Sequence, residues 1–372
     1  MPVTEVLAAT EVVPLSGVVA LSTRVLENRE YTLVRIKSSS GAVGFGFCNS
    51  GSKAGHLSTI AVRDLLREHV IGKEPFQVEA IWQAMYQDSL LHGRRGSVLR
   101  AMSAIDIALW DLIAREAKLP LHALLGGRRK DTVPTYVTGA AYAVSGSARS
   151  LADEVKAYAD AGFKAMKIKI GRLKPAEDAE RVRVCRQAAG DRMQLFLDAN
   201  NAWPDAPTAI RAIRLFEEFQ PGWMEEPVMP DEIEMMAEVA AAVEVPIATG
   251  ELEATRWGFK QLIDYKAAAI LQPDAVACGG VTEWRRIAAL AAGSGLPVAP
   301  HWFPEVHVHL VAATPNATWV EYVPDTHLSN IGLLFRSQLE VRDGELVVPG
   351  GPGLGLELDE AAVERYSKDG WR

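Results

Sequence analysis

The 372-residue chain is longer than one hydrophobic core usually supports, so two domains are expected. Its 39 basic and 47 acidic side chains leave a net charge of −8, which argues against a nucleic-acid binder, since that needs a basic face. No apolar run of about 18 residues is present to span a membrane, residues 1–15 lack the charged start and long apolar stretch of a signal peptide, and the three scattered cysteines, Cys48, Cys185 and Cys278, form no CxxC pair, so we expect a cytoplasmic protein without disulfides.

Residues 1–125 read as mixed α+β. The segment Tyr31-Thr-Leu-Val-Arg-Ile-Lys37 alternates as a strand does, Ser38 to Gly41 make a turn, and residues 42–47 begin a return strand. Helical periodicity follows over residues 57–91 and again over 98–117, where Met102, Ile105, Leu109, Leu112 and Ile113 form one stripe that Leu119-Pro120 stops.

Beyond residue 126 short apolar runs alternate with helical stretches, the mark of βα units on a parallel sheet. Strands are expected at 133–137, 165–170, 194–199, 223–226, 246–249, 269–273, 297–300 and 318–322. Eight strands in that length predict an α/β fold, a (β/α)8 TIM-type barrel over residues 126–323. An open doubly wound sheet is the alternative, but no GxGxxG or GxxxxGK[ST] loop accompanies it. Residues 324–372 form a tail expected to pack back on the N-terminal domain.

Polar residues fall at the strand ends. Lys169, Asp198, Glu225, Glu251, Asp274, His301 and Glu321 each sit at or beside the end of a different apolar run, 20 to 29 residues from the next. In a TIM barrel all seven would face one mouth at the C-terminal side, where catalysis occurs. A single strand-end acid has a capping role as readily as a functional one; seven buried ionisable groups without a purpose would cost several kcal/mol each.

Asp198, Glu225 and Glu251 come from consecutive strands, and three adjacent carboxylates repel unless a cation sits among them. An all-oxygen set with no Cys or His nearby favours Mg2+ over Zn2+ or copper. Glu226 should face away from Glu225 by strand alternation, and the residues alone leave open which of the two is the ligand. Lys167 and Lys169 share the inward face, and a second cation nearby lowers a lysine's pKa toward use as a base. Asn200 repeats the facing of Asp198 and would aim at a substrate. Asp274 beside His301 would fix the imidazole tautomer and raise its basicity. His307 and His309 read as packing or rim residues, and Glu321 as a substrate contact.

The stretches Lys167-Ile-Lys169, Leu197-Asp-Ala-Asn-Asn201, Trp223-Met-Glu-Glu-Pro227, Thr249-Gly-Glu251, Gln272-Pro-Asp274 through Gly279-Gly280, and Pro300-His301 resemble the enolase superfamily, and within it the mandelate racemase subgroup. Ala104-Ile-Asp-Ile-Ala-Leu-Trp-Asp111, Leu124-Leu-Gly-Gly127 and Pro352-Gly-Leu-Gly355 extend the resemblance over nearly the whole chain. It implies that the N-terminal domain caps the barrel and is completed by the tail. It implies one Mg2+ per subunit on Asp198, Glu225 and Glu251, with Lys169 as base on one substrate face and the Asp274–His301 pair on the other. Lys167, Asn200 and Glu321 would hold substrate or stabilise the intermediate. Segments 14–23 and 48–56 match the pattern least and are the expected specificity loops. Phe47 departs from it, standing where relatives often have Glu, with local packing or the pocket rim the expected effect.

The resemblance further implies removal of the proton α to a substrate carboxylate to form an enediolate, and then loss of water from an aldonate or aldarate. Racemisation or epimerisation of a 2-hydroxy acid is the second outcome, and sugar-lactone cycloisomerisation the third. A barrel kept only for binding would show damage at the acid or base positions, and these are intact. A small-molecule sugar acid is the expected partner, and a homo-oligomer the expected assembly. The segment Gly93-Arg-Arg-Gly96 reads as a solvated loop.

Overall fold

The computed structural model describes residues 1–127, 131–142, 150–324 and 329–372. The chain opens on β1 (Val3–Ala20), which runs antiparallel to β2 (Val25–Ser38), itself antiparallel to β3 (Val43–Asn49). Residues 14–23, expected as a loop, are mostly the far end of this hairpin: after an irregularity between Pro14 and Val19, pairing resumes at Val19–Leu26 and Ala20–Val25. The helical stretch expected at 57–91 is broken into α1 (His56–Ala61), a π turn at Val62–Leu66, a 3-10 turn at Arg67–His69 and α2 (Val78–Ser89). Gly72 at φ +79° and Pro75 fall in the gap, where a continuous helix could not pass.

Helix α3 (Ser97–Glu116) ends one residue short of the expected span and is the centrepiece of the cap, with 15 of its 20 residues buried. The β3 strand lies directly on it. A Cβ at Gly44 would sit 2.3 Å from the Ala108 carbonyl oxygen, and one at Gly46 2.2 Å from that of Ala104, so only glycine allows this approach. Phe47, next along β3, is fully buried against Phe303 at 5.6 Å and Phe335 at 6.3 Å between ring centroids. Its departure from the family pattern is thus a matter of packing, away from the pocket rim.

After α4 (Leu121–Leu124), the stretch expected as one strand at 133–137 divides at Pro134, which has no amide to donate. Before it, β4 (Thr132–Val133) joins a small sheet with two tail strands; after it, β5 (Thr135–Gly139) begins the barrel. Then come α5 (Leu151–Asp160), β6 (Ala165–Lys169), α6 (Pro175–Ala189), β7 (Gln194–Asp198), α7 (Ala206–Arg214), β8 (Trp223–Glu225), α8 (Ile233–Ala242), β9 (Ile247–Thr249), α9 (Thr255–Asp264), β10 (Ile270–Leu271), α10 (Gly280–Gly293), α11 (Pro304–Ala313) and β11 (Val320–Tyr322). Capping follows local rules: Ser150 accepts from the Asp153 amide to start α5, and Asp205 from that of Thr208 to start α7.

Strands β5 to β10 and β11 form one parallel sheet, with β11 paired to β5. The seventh strand, expected at 297–300, shrinks to Val298, which bridges in parallel to Leu271 on one side and Ala317 on the other and so closes the barrel. At its base Phe196 stacks on Trp223 with ring centroids 3.4 Å apart, and Tyr136 meets both edge-on. This layer fills the interior and leaves the polar residues to the mouth above.

The tail carries β12 (Val341–Arg342), β13 (Glu345–Val347) and α12 (Glu360–Tyr366). Its end returns to β1, where Ala8 and Arg372 exchange backbone hydrogen bonds. The motif at 104–111 ties these parts together. Asp106 accepts from the Thr282 amide at 2.8 Å and its hydroxyl at 2.6 Å, locking α3 to the start of α10. Asp111 accepts from the Phe45 and Leu354 amides at 3.0 and 2.7 Å, joining β3, α3 and the tail. His307 is pinned between the Trp302 carbonyl (2.6 Å) and the Ala275 amide (3.0 Å), and His309 stacks on His122; both imidazoles are packing groups. All three cysteines are free and buried, and burial pushes the Cys48 thiol up to about 11, so they are inert. Among the described residues no helix is long and apolar enough to cross a membrane.

Candidate active site

The barrel register sets the strand-end residues abreast. Lys169 lies opposite Asp198, and Asp198 opposite Glu225, on three adjacent parallel strands. Glu251 follows β9 by two residues. Carboxylate oxygens of Asp198, Glu225 and Glu251 all lie within 4.8 Å of one another, a span that oxygens about 2.0–2.6 Å from one shared hard cation would cover. The Glu251 Oε2 is buried without a hydrogen bond among the described residues. Its contact with His301 Nε2, at 3.2 Å, has the distance of an ion pair but lacks the angle of a hydrogen bond. Burial, aided by the Asp198, Glu321 and Glu251 charges, pushes the Glu225 carboxyl up to about 8, although Lys167 opposes it. Glu225 thus resists being charged beside the other acids without a cation among them, whereas Lys169 and Lys167 outweigh burial and hold Asp198 below the usual carboxylate range.

Glu226 does not follow the expected alternation. Its φ of +42° turns the chain just past β8, and its buried carboxyl feels Glu251, Asp198 and Glu225 strongly enough that these charges, after burial, hold it well above the usual range. It accepts from Asn201 Nδ2 at 3.1 Å and is not among the three acids whose oxygens converge.

Lys167 and Lys169 both face inward, at different depths. Lys167 is fully buried, with its Nζ 2.6 Å from Glu225 Oε1, 2.9 Å from Glu321 Oε1 and 5.5 Å above the Tyr136 ring. Burial works against its charge, but Glu225 and Glu321 outweigh burial and raise its pKa, the reverse of the lowering expected from a neighbouring cation. Lys169 pairs with Asp198 and reaches the cavity above. Asn200 reaches it too and also donates to Asp198 at 3.2 Å.

Across the mouth His301 Nδ1 lies 3.1 Å from Asp274 Oδ2, whose other oxygen accepts the Val276 amide at 2.9 Å. Burial alone would lower the imidazole pKa; Glu251, the Asp274 hydrogen bond and Glu321 outweigh it and raise it to about 9. Glu321 accepts the Trp302 amide at 2.8 Å and the Thr138 hydroxyl. Burial would neutralise that carboxyl, but Lys167, followed by His301 and Lys169, holds it well below the usual range, so it stands ionised rather than protonated.

Lys169, Asn200, Glu251, Asp274, His301 and Glu321 line one cavity of about 520 Å3. Its other wall belongs to the cap: Leu21, residues 23–26 and Arg29 of the first hairpin, Asn49 to Ala54, and the start of α3. Both segments expected to set specificity contribute. Thr138, Arg24, Arg29, Lys53 and Arg100 also line it and were not singled out in the sequence. Thr138 closes the first barrel strand and was readable from that position; the four cations belong to no motif. Arg95 pairs with Glu253 at 3.2 Å, and neither it nor Arg94 lines this cavity.

Comparison with known proteins gives a consistent picture. Residues 3–126 match the mandelate racemase / muconate lactonizing enzyme N-terminal domain, and residues 150–362 match the enolase C-terminal domain-like family. The L-talarate/galactarate dehydratase of Salmonella typhimurium is 38% identical over 330 residues, covering 89% of this chain and 81% of that one. The arabinonate dehydratase of Saccharolobus solfataricus is 32% identical over 347 residues, covering 91% and 90%. A crystal structure of L-talarate dehydratase from Polaromonas sp. JS666, complexed with Mg and L-glucarate, superposes with a TM-score of 0.90 at 33% identity, covering 100% of this chain and 99% of that one.

Proposed function

The chain belongs to the mandelate racemase / muconate lactonizing enzyme family, and we propose that within it the protein is a magnesium-dependent sugar-acid dehydratase, taking an aldonate or aldarate to a 2-keto-3-deoxy acid. One observation carries the reading: of three convergent carboxylates, Glu251 lines a cavity that it shares with Lys169 and the Asp-supported His301. Asp198, Glu225 and Glu251 fit Mg2+, being all-oxygen donors held close on adjacent strands. When bound there, Mg2+ would neutralise the three acids and offset the second negative charge that develops on the substrate carboxylate as its α-proton leaves.

Lys169, as the free amine, takes the α-proton. The electron pair left at the α-carbon forms the α–β double bond as the β-hydroxyl departs, and the hydroxyl takes the proton of charged His301 to leave as water. The resulting enol becomes the 2-keto acid by losing its hydroxyl proton to water and gaining a proton at the β-carbon, with no external oxidant. Asp274 positions the imidazole through its Nδ1, and Glu251, the Asp274 hydrogen bond and Glu321 together favour its charged form. Lys167 lies beneath the cavity, pairs with Glu225 and Glu321, and holds Glu321 as an anion. Glu321 faces the same cavity, where its charge favours the protonated form of His301.

The test is a panel of sugar acids incubated with the protein in Mg2+ or in EDTA and assayed for 2-keto acid. Keto acid formed in Mg2+ and abolished by EDTA is the expected result. Solvent deuterium at an inverted α-carbon, with no keto acid from any substrate, would instead make the protein a racemase or epimerase.

A further inference from the structure

The two walls of the cavity differ in charge. The barrel wall sets Lys169 and His301 against Glu251, Asp274 and Glu321, whereas the cap wall carries Arg24, Arg29, Lys53 and Arg100 and, among the described residues, no acid. In a chain of net charge −8, four cations on one wall run against the composition. Their origins are independent: Arg24 lies in the turn between β1 and β2, Arg29 in β2, Lys53 in the turn after β3, and Arg100 in the first turn of α3. Four unrelated segments therefore bring like charges to one space.

These charges are only partly spent within the protein. The side chains of Arg24 and Lys53 have no hydrogen-bond or ion-pair partner among the described residues, and Arg100 uses Nη1 on the Asn49 carbonyl at 2.8 Å. Arg29 is buried with its guanidinium 4.3 Å from the Trp302 ring centre, and burial and then the Arg24 charge both work against its cation. An anion reaching both arginines would offset that repulsion. The α3 N-terminus adds to the field: Gly96 and Ser97 line the cavity, and no side chain caps the helix there.

Resting on the dehydratase reading, we propose that the substrate carries a second anionic group at the end away from the acid trio, held by Arg24, Lys53 and Arg100. The trio takes one carboxylate; the cap takes the other anion. The substrate class is then a sugar diacid, or a sugar acid ending in a phosphate, rather than an aldonate ending in a neutral hydroxymethyl group. Similarity alone leaves this open, because by their names one relative acts on diacids and another on a monoacid.

The experiment compares hexarates with hexonates of matching configuration and with the hexonate 6-phosphates, by kcat/KM and, separately, by calorimetric binding in Mg2+ buffer. A hexarate or 6-phosphate is expected to exceed its hexonate by about 100-fold, two charge-assisted contacts being worth about tenfold each. Whichever of the two wins identifies the distal group. Arg24→Met and Arg100→Met should each lower the ratio of diacid to monoacid, in turnover and in binding, by about tenfold, and Arg24 is exposed enough that its loss leaves the fold intact. Hexonates processed as well as their diacids, or a ratio unmoved in both variants, would overturn the proposal while leaving the dehydratase reading in place. Keto acid from no substrate would remove the dehydratase reading, and equal binding of diacid and monoacid would then dispose of the distal site as well.

Discussion

Lys169→Ala is expected to lower kcat for keto-acid formation by about 10^3-fold or more, and His301→Asn by a similar factor, with their isotope behaviour splitting apart. A positioned base or acid contributes about 10^2–10^4 to rate. Each variant removes one such group, and the described residues offer no ready replacement. Lys167 faces the same way but is fully buried, absent from the cavity lining and held charged by Glu225 and Glu321. His307 is committed to the Trp302 carbonyl and the Ala275 amide. In D2O, His301→Asn should still exchange the α-hydrogen of recovered sugar acid through Lys169 while failing to expel the hydroxyl. Lys169→Ala should do neither. Full activity in both variants would remove the assignment, and exchange retained without Lys169 would move the base elsewhere.

Glu225→Gln, nearly the same shape with no charge, is expected to cost at least as much activity and also to lose a thermal response to Mg2+. A ligand that binds only the folded protein stabilises it by about 2.7 kcal/mol at a hundred times its Kd, which is several degrees of Tm for a chain of this size. The wild type should show that rise on adding Mg2+. The variant should not, since one of the three convergent acids has lost its charge. Glu226→Gln is the matched control: that carboxyl is equally buried and close in charge to the trio, but its oxygens do not join the cluster and it is tied to Asn201. A Tm response lost in Glu226→Gln and kept in Glu225→Gln would reverse the two roles.

The strand-end residues were legible because a βα unit has nearly constant length and a parallel strand is apolar until its end. Lys169, Asp198 and Glu225 therefore stood out against their runs, and the register places them side by side. Alternation then failed at Glu226, because it holds only while the backbone stays extended and this residue has φ +42°. The long first strand was hidden for a different reason. Residues 8–11 are buried on both faces, so no two-residue rhythm marks them, and Pro14 and Gly17 look like loop. Val298, the whole of the seventh strand's pairing, is too short to carry any period. The cationic cap wall was beyond reach altogether. Arg24, Arg29, Lys53 and Arg100 share no spacing, and only the folding of a hairpin, a turn and a helix start over the barrel brings them to one cavity. Chemistry common to a family sits on the regular barrel, while substrate preference is composed from irregular segments whose meeting is a tertiary fact.

A crystal structure of the protein with Mg2+ and a bound sugar acid tests the central claim most directly. The account predicts one ion ligated by Asp198, Glu225 and Glu251, with Lys169 Nζ and His301 Nε2 approaching the ligand's α- and β-carbons from opposite faces. An ion held by other residues, or both side chains on one face of the ligand, would contradict it.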